Sequence, residues 1–225
     1  MDVSRPHLYG RRKGRPLRVR KSLLMETLLP RLLVQLPSEQ RVLPHVFFQN
    51  VVPASAAWLE IGFGGGEHLA AQAKLNPDVH CIGCEPFING VASLLDHLDR
   101  DSIENVRVFN DDARKMLDAL ADASLDKCFV LFADPWPKKR HIERRFIGPE
   151  NLVRLARVLK PGGLLRLASD QVQLIEWMRD CLAGHADFTC VYDSIEPPLD
   201  WVQTRYQEKA IEAGRQPVFM DFRRN

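Results

Sequence analysis

Residues 57–61, AWLEI, form a short apolar run that passes directly into Gly62-Phe63-Gly64-Gly65-Gly66 and then into a helical pattern over residues 67–74. A strand, a glycine-rich turn and a helix in succession restrict what the chain can become, because glycine lets the backbone reverse sharply and lets a ligand approach closely. The same alternation recurs. Strands are predicted over 79–84, 106–109, 125–132 and 164–168, helices over 89–98, 114–120, 150–159 and 173–182, and closing strands over 188–192 and 218–222. Lys160-Pro161-Gly162-Gly163 reads as the terminator of the 150–159 helix. Strands alternating with helices predict an α/β fold with a doubly wound, mainly parallel sheet.

At 225 residues the chain suits one domain with extensions better than two. Residues 1–21 are polar, basic and punctuated by Gly and Pro, so a loosely held N-terminal arm is expected, followed by a single domain over 22–225. Ser22 is a candidate cap for a helix with Leu24, Leu28, Leu32 and Leu36 on its apolar face and Pro30 kinking or interrupting it. No apolar run approaches the roughly 18 residues that span a bilayer, and the basic N-terminus lacks the apolar core of a signal peptide. No membrane association and a cytoplasmic location are expected.

Five cysteines, an odd number, argue against a disulfide framework. Cys81 and Cys84 form a lone CxxC, but it lies inside a predicted strand and no second ligand pair completes a zinc site, so a structural role and no metal are expected. The net charge of +2 conceals an asymmetry. Residues 1–24 carry eight Lys/Arg and residues 138–145 carry five, leaving 18 bases against 27 acids elsewhere. Two basic segments on an otherwise acidic body favour a polyanion partner.

Four predicted strands deliver an acidic residue to the same edge of the sheet: Glu60 beside Gly62, then Glu85, Asp112 and Asp134. Glu67 stands where the dinucleotide fingerprint has its third glycine, and a carboxylate there would repel a pyrophosphate. A cofactor with ribose hydroxyls, an exocyclic amine and a cationic centre suits such a row, and S-adenosylmethionine has all three. The fourth strand runs into VLFADPWPKKRHIERRF over residues 130–146, so one carboxylate, one tryptophan and a burst of cations meet at one strand end. Ligands bind at the carboxyl ends of strands in open α/β sheets, and clustered Lys/Arg beside an aromatic suits a nucleic acid.

WLEIGFGGGEHL, the Glu85 position, DDA, FADPWPKKRH, LKPGG, ASD and TRYQEK occur in an order that resembles the bacterial tRNA (guanine-N7)-methyltransferases, from about residue 57 to the C-terminus. The resemblance implies a class I methyltransferase with a seven-stranded Rossmann-like sheet and an antiparallel last strand, acting on a tRNA variable-loop guanosine, conventionally position 46. It implies S-adenosylmethionine on Glu60, Glu85, Asp112, Ala113 and Asp134, with Gly62, Gly64 and Gly66 beneath its methionine part, and Asp134 as the catalytic residue. It implies tRNA on Lys138, Asp170, Thr204, Arg205, Tyr206 and Gln207, with Lys139, Arg140, Arg144 and Arg145 along the phosphates, and no obligate protein partner. Gln207 stands where the family usually has Glu, and Glu208 is adjacent. Ala133 replaces a common proline.

Guanine N7 carries an in-plane lone pair and no proton, so its attack on a sulfonium methyl needs alignment more than a base. Asp134 is therefore expected to hold the guanine edge or stabilise the charge that grows on the ring. Trp136 is open to two readings, a stacking platform or a ring buried under the basic loop. Two further functions compete: methylation of an exocyclic amine, since Asp134-Pro135-Trp136-Pro137 resembles the turn that accepts amine hydrogens, and a non-catalytic RNA-binding module. A nicotinamide dehydrogenase is disfavoured by Glu67.

Overall fold

A computed structural model describes residues 11–38, 40–49, 51 and 53–225. Seven strands, β1 (Ala56–Ile61), β2 (Val79–Cys84), β3 (Val106–Phe109), β4 (Leu125–Leu131), β5 (Leu159–Ser169), β6 (Phe188–Ser194) and β7 (Val218–Arg224), form one sheet in the order β3-β2-β1-β4-β5-β7-β6. Pairing is parallel from β3 to β5, and β7 runs antiparallel to both of its neighbours. The chain starts at β1 in the middle, winds outward to β3, then returns to β4 and winds the other way. That reversal leaves a crevice between the C-terminal ends of β1 and β4.

Among the described residues eight helices flank the sheet: α1 (Val19–Thr27), α2 (Leu29–Leu32), α3 (Glu67–Leu75), α4 (Ile88–Asp101), α5 (Ala113–Ala119), α6 (Pro149–Val158), α7 (Val172–Leu182) and α8 (Arg205–Glu212). Two 3-10 turns, Pro44–Phe47 and Lys139–Arg144, complete the elements. Successive strand residues point to opposite faces, and the core divides accordingly. Leu59, Cys128 and Val130 pack with Met116 of α5, Leu155 of α6 and Leu174 of α7. Trp58, Phe129 and Leu131 pack with Leu69 of α3 and with Val91, Leu94, Leu95 and Leu98 of α4. Those four α4 positions follow the i, i+3, i+4, i+7 spacing of one helix face. Leu59 is fully buried, and truncating such a side chain to Ala costs about 2–5 kcal/mol.

Most predicted elements fall within a residue or two of these bounds, and three features differ. The N-terminal helix begins at Val19, so Ser22 lies inside it and no side chain caps it. The expected interruption is present, since α1 ends at Thr27 and α2 starts at Leu29 with Pro30 in its first turn, where its missing N–H is tolerated. Lys160-Pro161-Gly162-Gly163 belongs to β5: Leu159 pairs with Leu125 and Leu164 with Lys127, so the four residues between loop out of register, with Gly162 at φ +79. α8 was not predicted as a helix.

Residues 11–21 of the expected loose arm are instead fastened to α4. Ile88 N donates to Arg12 O at 3.0 Å, Gly14 N donates to Asn89 Oδ1 at 2.8 Å, and Asn89 Nδ2 donates to Arg15 O at 2.7 Å. Arg20 pairs with Asp96 and Asp99 farther along the same helix. Residues 1–10, including Arg5, lie outside the described residues.

Candidate active site

The crevice holds a cavity of about 640 Å³, lined by Gly62 and Gly64 after β1, Glu85 after β2, Asp112 and Ala113 after β3, and Asp134 after β4. Its floor depends on the glycine turn. Gly64 adopts φ +57, and a Cβ there would lie 3.0 Å from the Tyr206 ring, so the position requires glycine for both backbone and space. From the other side, Gly90 of α4 lets the helix approach so closely that a Cβ would lie 2.2 Å from Gly64 O.

Glu85 ties this turn to β2. Its Oε2 accepts from Gly64 N at 2.8 Å and its Oε1 accepts from Phe87 N at 2.9 Å. Burial raises its proton affinity above the ordinary carboxylate range. The two N–H donors oppose that rise, and Asp134 and Glu60 add to it. Asp112 caps α5 by accepting from Arg114 N at 3.0 Å, and the Arg114 guanidinium clasps both of its oxygens at 2.6–3.0 Å. Asp111, next to it, pairs with Arg12 and Lys115.

Glu60 departs from the expected row. It is buried, its Oε2 meets His68 Nδ1 at 2.7 Å, and His68 Nε2 meets Gln72 at 3.3 Å. The carboxylate faces a smaller neighbouring cavity that also touches Gly62, Thr204, Arg205 and Tyr206. Gly66 is on neither wall; it precedes α3 at φ +81 and packs against Leu94.

At the end of β4 the backbone is strained. Phe132 (φ +51) and Trp136 (φ +40) both take the left-handed conformation on either side of Asp134. Such residues cost of order 1–3 kcal/mol each and gather at functional sites. Asp134 is exposed, and among the described residues no donor reaches its carboxylate. Trp136 is partly exposed, with His141 edge-on at 5.8 Å and the Arg144 guanidinium 5.0 Å from its ring centre.

Arg145 corrects an expectation. It is buried, not aligned with phosphates, and its guanidinium donates to Pro135 O at 3.0 Å and to Trp136 O and Gln173 O at 3.5 Å. The turn leaves carbonyls without strand partners, and this side chain satisfies them. Lys138, Lys139 and Arg140 are exposed beyond the cavity walls, whereas Arg144 lines the cavity. The His141 imidazole is held below its ordinary value by desolvation first and then by Arg144, Arg140 and Lys138, a sign of concentrated positive charge.

The C-terminal motif forms the opposite wall. Thr204 Oγ1 caps α8 by accepting from Gln207 N at 3.0 Å, which sends Tyr206 over Gly64 and into both cavities. Burial, then Glu85 and Asp134, raise the Tyr206 hydroxyl above its ordinary value. Gln207 is buried and Gln207 Oε1 accepts from Trp201 Nε1 at 2.7 Å, a bond that needs no negative charge. Glu208 is exposed beside Gln203 and does not reach that position. Asp170 is also diverted: Arg215 and Gln171 donate to its Oδ2, and it lines neither cavity. Sequence reasoning missed His68, Arg114, Phe87 and Gly90. His68 was in view within GGGEHL, but nothing local signals a partner eight residues away.

Cys81 and Cys84 are buried in β2 and free, and burial pushes the Cys81 thiol up to about 12. Among the described residues no group of three His, Cys, Asp or Glu side chains could hold a metal ion, and no helix is long and apolar enough to cross a membrane.

Residues 54–220 match a protein family described as a putative methyltransferase. A tRNA (guanine-N(7)-)-methyltransferase of Paramagnetospirillum magneticum is 50% identical over 227 residues, covering 99% of this chain and 94% of that protein. Proteins of the same name from Rhodospirillum rubrum and Caulobacter vibrioides are 45% and 44% identical, each over 96% of this chain and over 87% and 94% of their own lengths. Among solved structures, an antibiotic-related methyltransferase aligns with a TM-score of 0.58 at 11% identity, covering 84% of this chain and 97% of that one. An rRNA methylase from Streptococcus thermophilus aligns at 0.53 and 14% identity, covering 80% and 93%. These two likenesses concern the fold alone.

Proposed function

The chain belongs to the tRNA (guanine-N(7)-)-methyltransferase family, and from that premise we propose that it transfers a methyl group from S-adenosylmethionine to N7 of a guanosine in the variable loop of tRNA. The observation that carries the reading is the crevice itself. Three acidic strand ends converge on one cavity, and of these three only Asp134 has no donor among the described residues; it lies beside a cationic turn.

The residues present fit the cofactor. A volume of about 640 Å³ lies within the range of pockets that enclose a cofactor-sized ligand. The row of carboxylates disfavours a pyrophosphate and suits a sulfonium and ribose hydroxyls. Glu85 would accept the ribose hydroxyls with the lone pairs left after its two backbone bonds, Asp112 and Ala113 would border the base, and Gly62 and Gly64 would underlie the methionine part. Glu60, held by His68, would reach that part from the adjoining cavity. S-adenosylmethionine supplies an electrophilic methyl on a cationic sulfur. The protein's task is then alignment. Asp134 accepts the N1 and N2 hydrogens of the guanine edge and offsets the positive charge that grows on the ring. Tyr206 walls the mouth and excludes water from it. Lys138, Lys139, Arg140 and Arg144 position the RNA through its phosphates without reading sequence.

Incubating the protein with unmodified tRNA and methyl-labelled S-adenosylmethionine, followed by nucleoside analysis, tests the reading. Label in 7-methylguanosine is expected. Label on an exocyclic amine, or none with a binding-competent protein, would overturn it.

A further inference from the structure

The residues of the N-terminal segment divide between two tasks. Arg12 turns inward to Asp111 at 2.7 Å, and Gly14 lies so close to α4 that a Cβ would sit 2.8 Å from Phe87 Cζ and 2.9 Å from Asn89 Oδ1. Asn89 grips the backbone on both sides of that glycine. Arg11, Lys13, Arg15 and Arg18 are exposed too, but among the described residues none of them pairs with a carboxylate. Such an arrangement is a rail of cations fixed in place by Arg12, Gly14 and Arg20 and by the grip of Asn89 on the backbone. It runs beside the ends of β2 and β3, and Arg11 at its head lines the main cavity. The cationic 3-10 turn follows β4, on the other side of β1, and Arg144 lines the same cavity from there. The mouth therefore has a positively charged rim on each side, with the glycine turn between them.

We propose that this rail is a second RNA-contact surface, and that the phosphates flanking the target nucleotide are gripped from both rims at once. A nucleotide is joined to its chain through a phosphate on each side, so a base inserted between two rims directs its flanking phosphates towards both of them. One cationic rim would hold one strand direction only and leave the base free to tilt. The proposal rests on the tRNA reading above, and it assigns RNA contact to residues fixed on the domain before RNA arrives.

Binding of an unmodified tRNA transcript, followed by fluorescence anisotropy between 50 and 200 mM salt, tests it with four proteins: wild type, a Lys13→Ala/Arg15→Ala/Arg18→Ala triple variant, a Lys139→Ala/Arg140→Ala double variant, and Gly14→Val. Each lost phosphate contact lowers the slope of log K against log salt by about 0.7–0.9, so the triple variant should lose about 2 or more and weaken binding at least about tenfold. Its melting temperature and its calorimetric affinity for S-adenosylhomocysteine should not change. Gly14→Val keeps every charge but displaces the rail, so weakened tRNA binding is expected there too. A wild-type slope and affinity in the triple variant, with the double variant impaired, overturns the rail and leaves the tRNA reading standing. Normal binding in both charge variants overturns both phosphate assignments, and failure of the wild type to bind the transcript overturns the tRNA reading itself. Weakening in the triple variant but not in Gly14→Val overturns the fixed placement.

Discussion

Gly90 lies on a helix and touches no ligand in the proposed arrangement, yet replacing it should damage cofactor binding more than folding. A Cβ at this position would stand 2.2 Å from Gly64 O, and real Cβ atoms essentially never come within 3.0 Å of a neighbour. Helix and turn must separate by close to 1 Å, and both partners are backbone, so no side chain can swing aside. Overpacking of this kind costs about 1–3 kcal/mol. Alanine is the better helix former by about 1 kcal/mol, which leaves a net loss of about 0–2 kcal/mol. For a chain of this size that lowers the melting temperature by at most about 8 °C, at about 2–4 °C per kcal/mol. The glycine turn takes the displacement, and with it the 2.8 Å bond from Gly64 N to Glu85. Weakening one hydrogen bond to a charged ligand group costs about 1.5–3 kcal/mol, and every 1.4 kcal/mol is about tenfold, so the Kd for S-adenosylhomocysteine should rise about 10- to 100-fold in Gly90→Ala. Calorimetric titration and a thermal melt on the same preparation measure both. A Kd within about twofold of wild type, in a folded protein, would refute the claim that Gly90 sets the height of the turn.

Asp134→Asn should reduce methylation by at least about 100-fold while leaving the melt unchanged and S-adenosylhomocysteine affinity within a few-fold, because no described residue depends on that carboxylate; single-turnover rates and calorimetry separate the two effects. Arg145→Ala should cost about 1–3 kcal/mol of stability by stranding the Pro135 and Trp136 carbonyls, without flattening the salt dependence of tRNA binding; a flattened slope with a normal denaturation midpoint would return Arg145 to the phosphates. Glu85 gives a pH signature. Its folded value is raised from 4.5, so its contribution to stability is fully present below 4.5 and is lost as pH rises through the folded value. Binding to hydroxyls needs the ionised form, so cofactor affinity should begin to fall on acidification above the ordinary carboxylate range, and Glu85→Gln should remove that part of the pH dependence in titrations between pH 8 and pH 5.

The sheet was legible because buried strands announce themselves as short apolar runs, and because each run is followed by a turn residue and a helical pattern. α8 was not, since only Gln207 and Ala210 of its eight residues are buried and five of the eight carry charged or amide side chains. β5 was shortened in prediction because Pro-Gly-Gly reads as an end, whereas a partner strand can hold both sides of a looped-out segment. Within the site, strand-end acids could be counted from the sequence, but their partners could not: the bonds from Glu60 to His68 and from Asp170 to Arg215 are set by three-dimensional packing. The run Arg144-Arg145 is the sharpest case. Two identical neighbours differ in role because a 3-10 turn ends between them, and composition carries no trace of which guanidinium points inward.

The four carboxylates differ in how much must move when a ligand arrives. Glu60, Glu85 and Asp112 already hold donors supplied by the protein, so their dipoles are oriented beforehand and little solvent has to rearrange around them. Asp134 alone faces water. Arrival of the guanine therefore concentrates the reorganisation of the whole site at one oxygen pair, where displaced water must be replaced by the base edge. Solvent isotope and viscosity effects should consequently appear in the RNA half of the reaction and be nearly absent from cofactor binding.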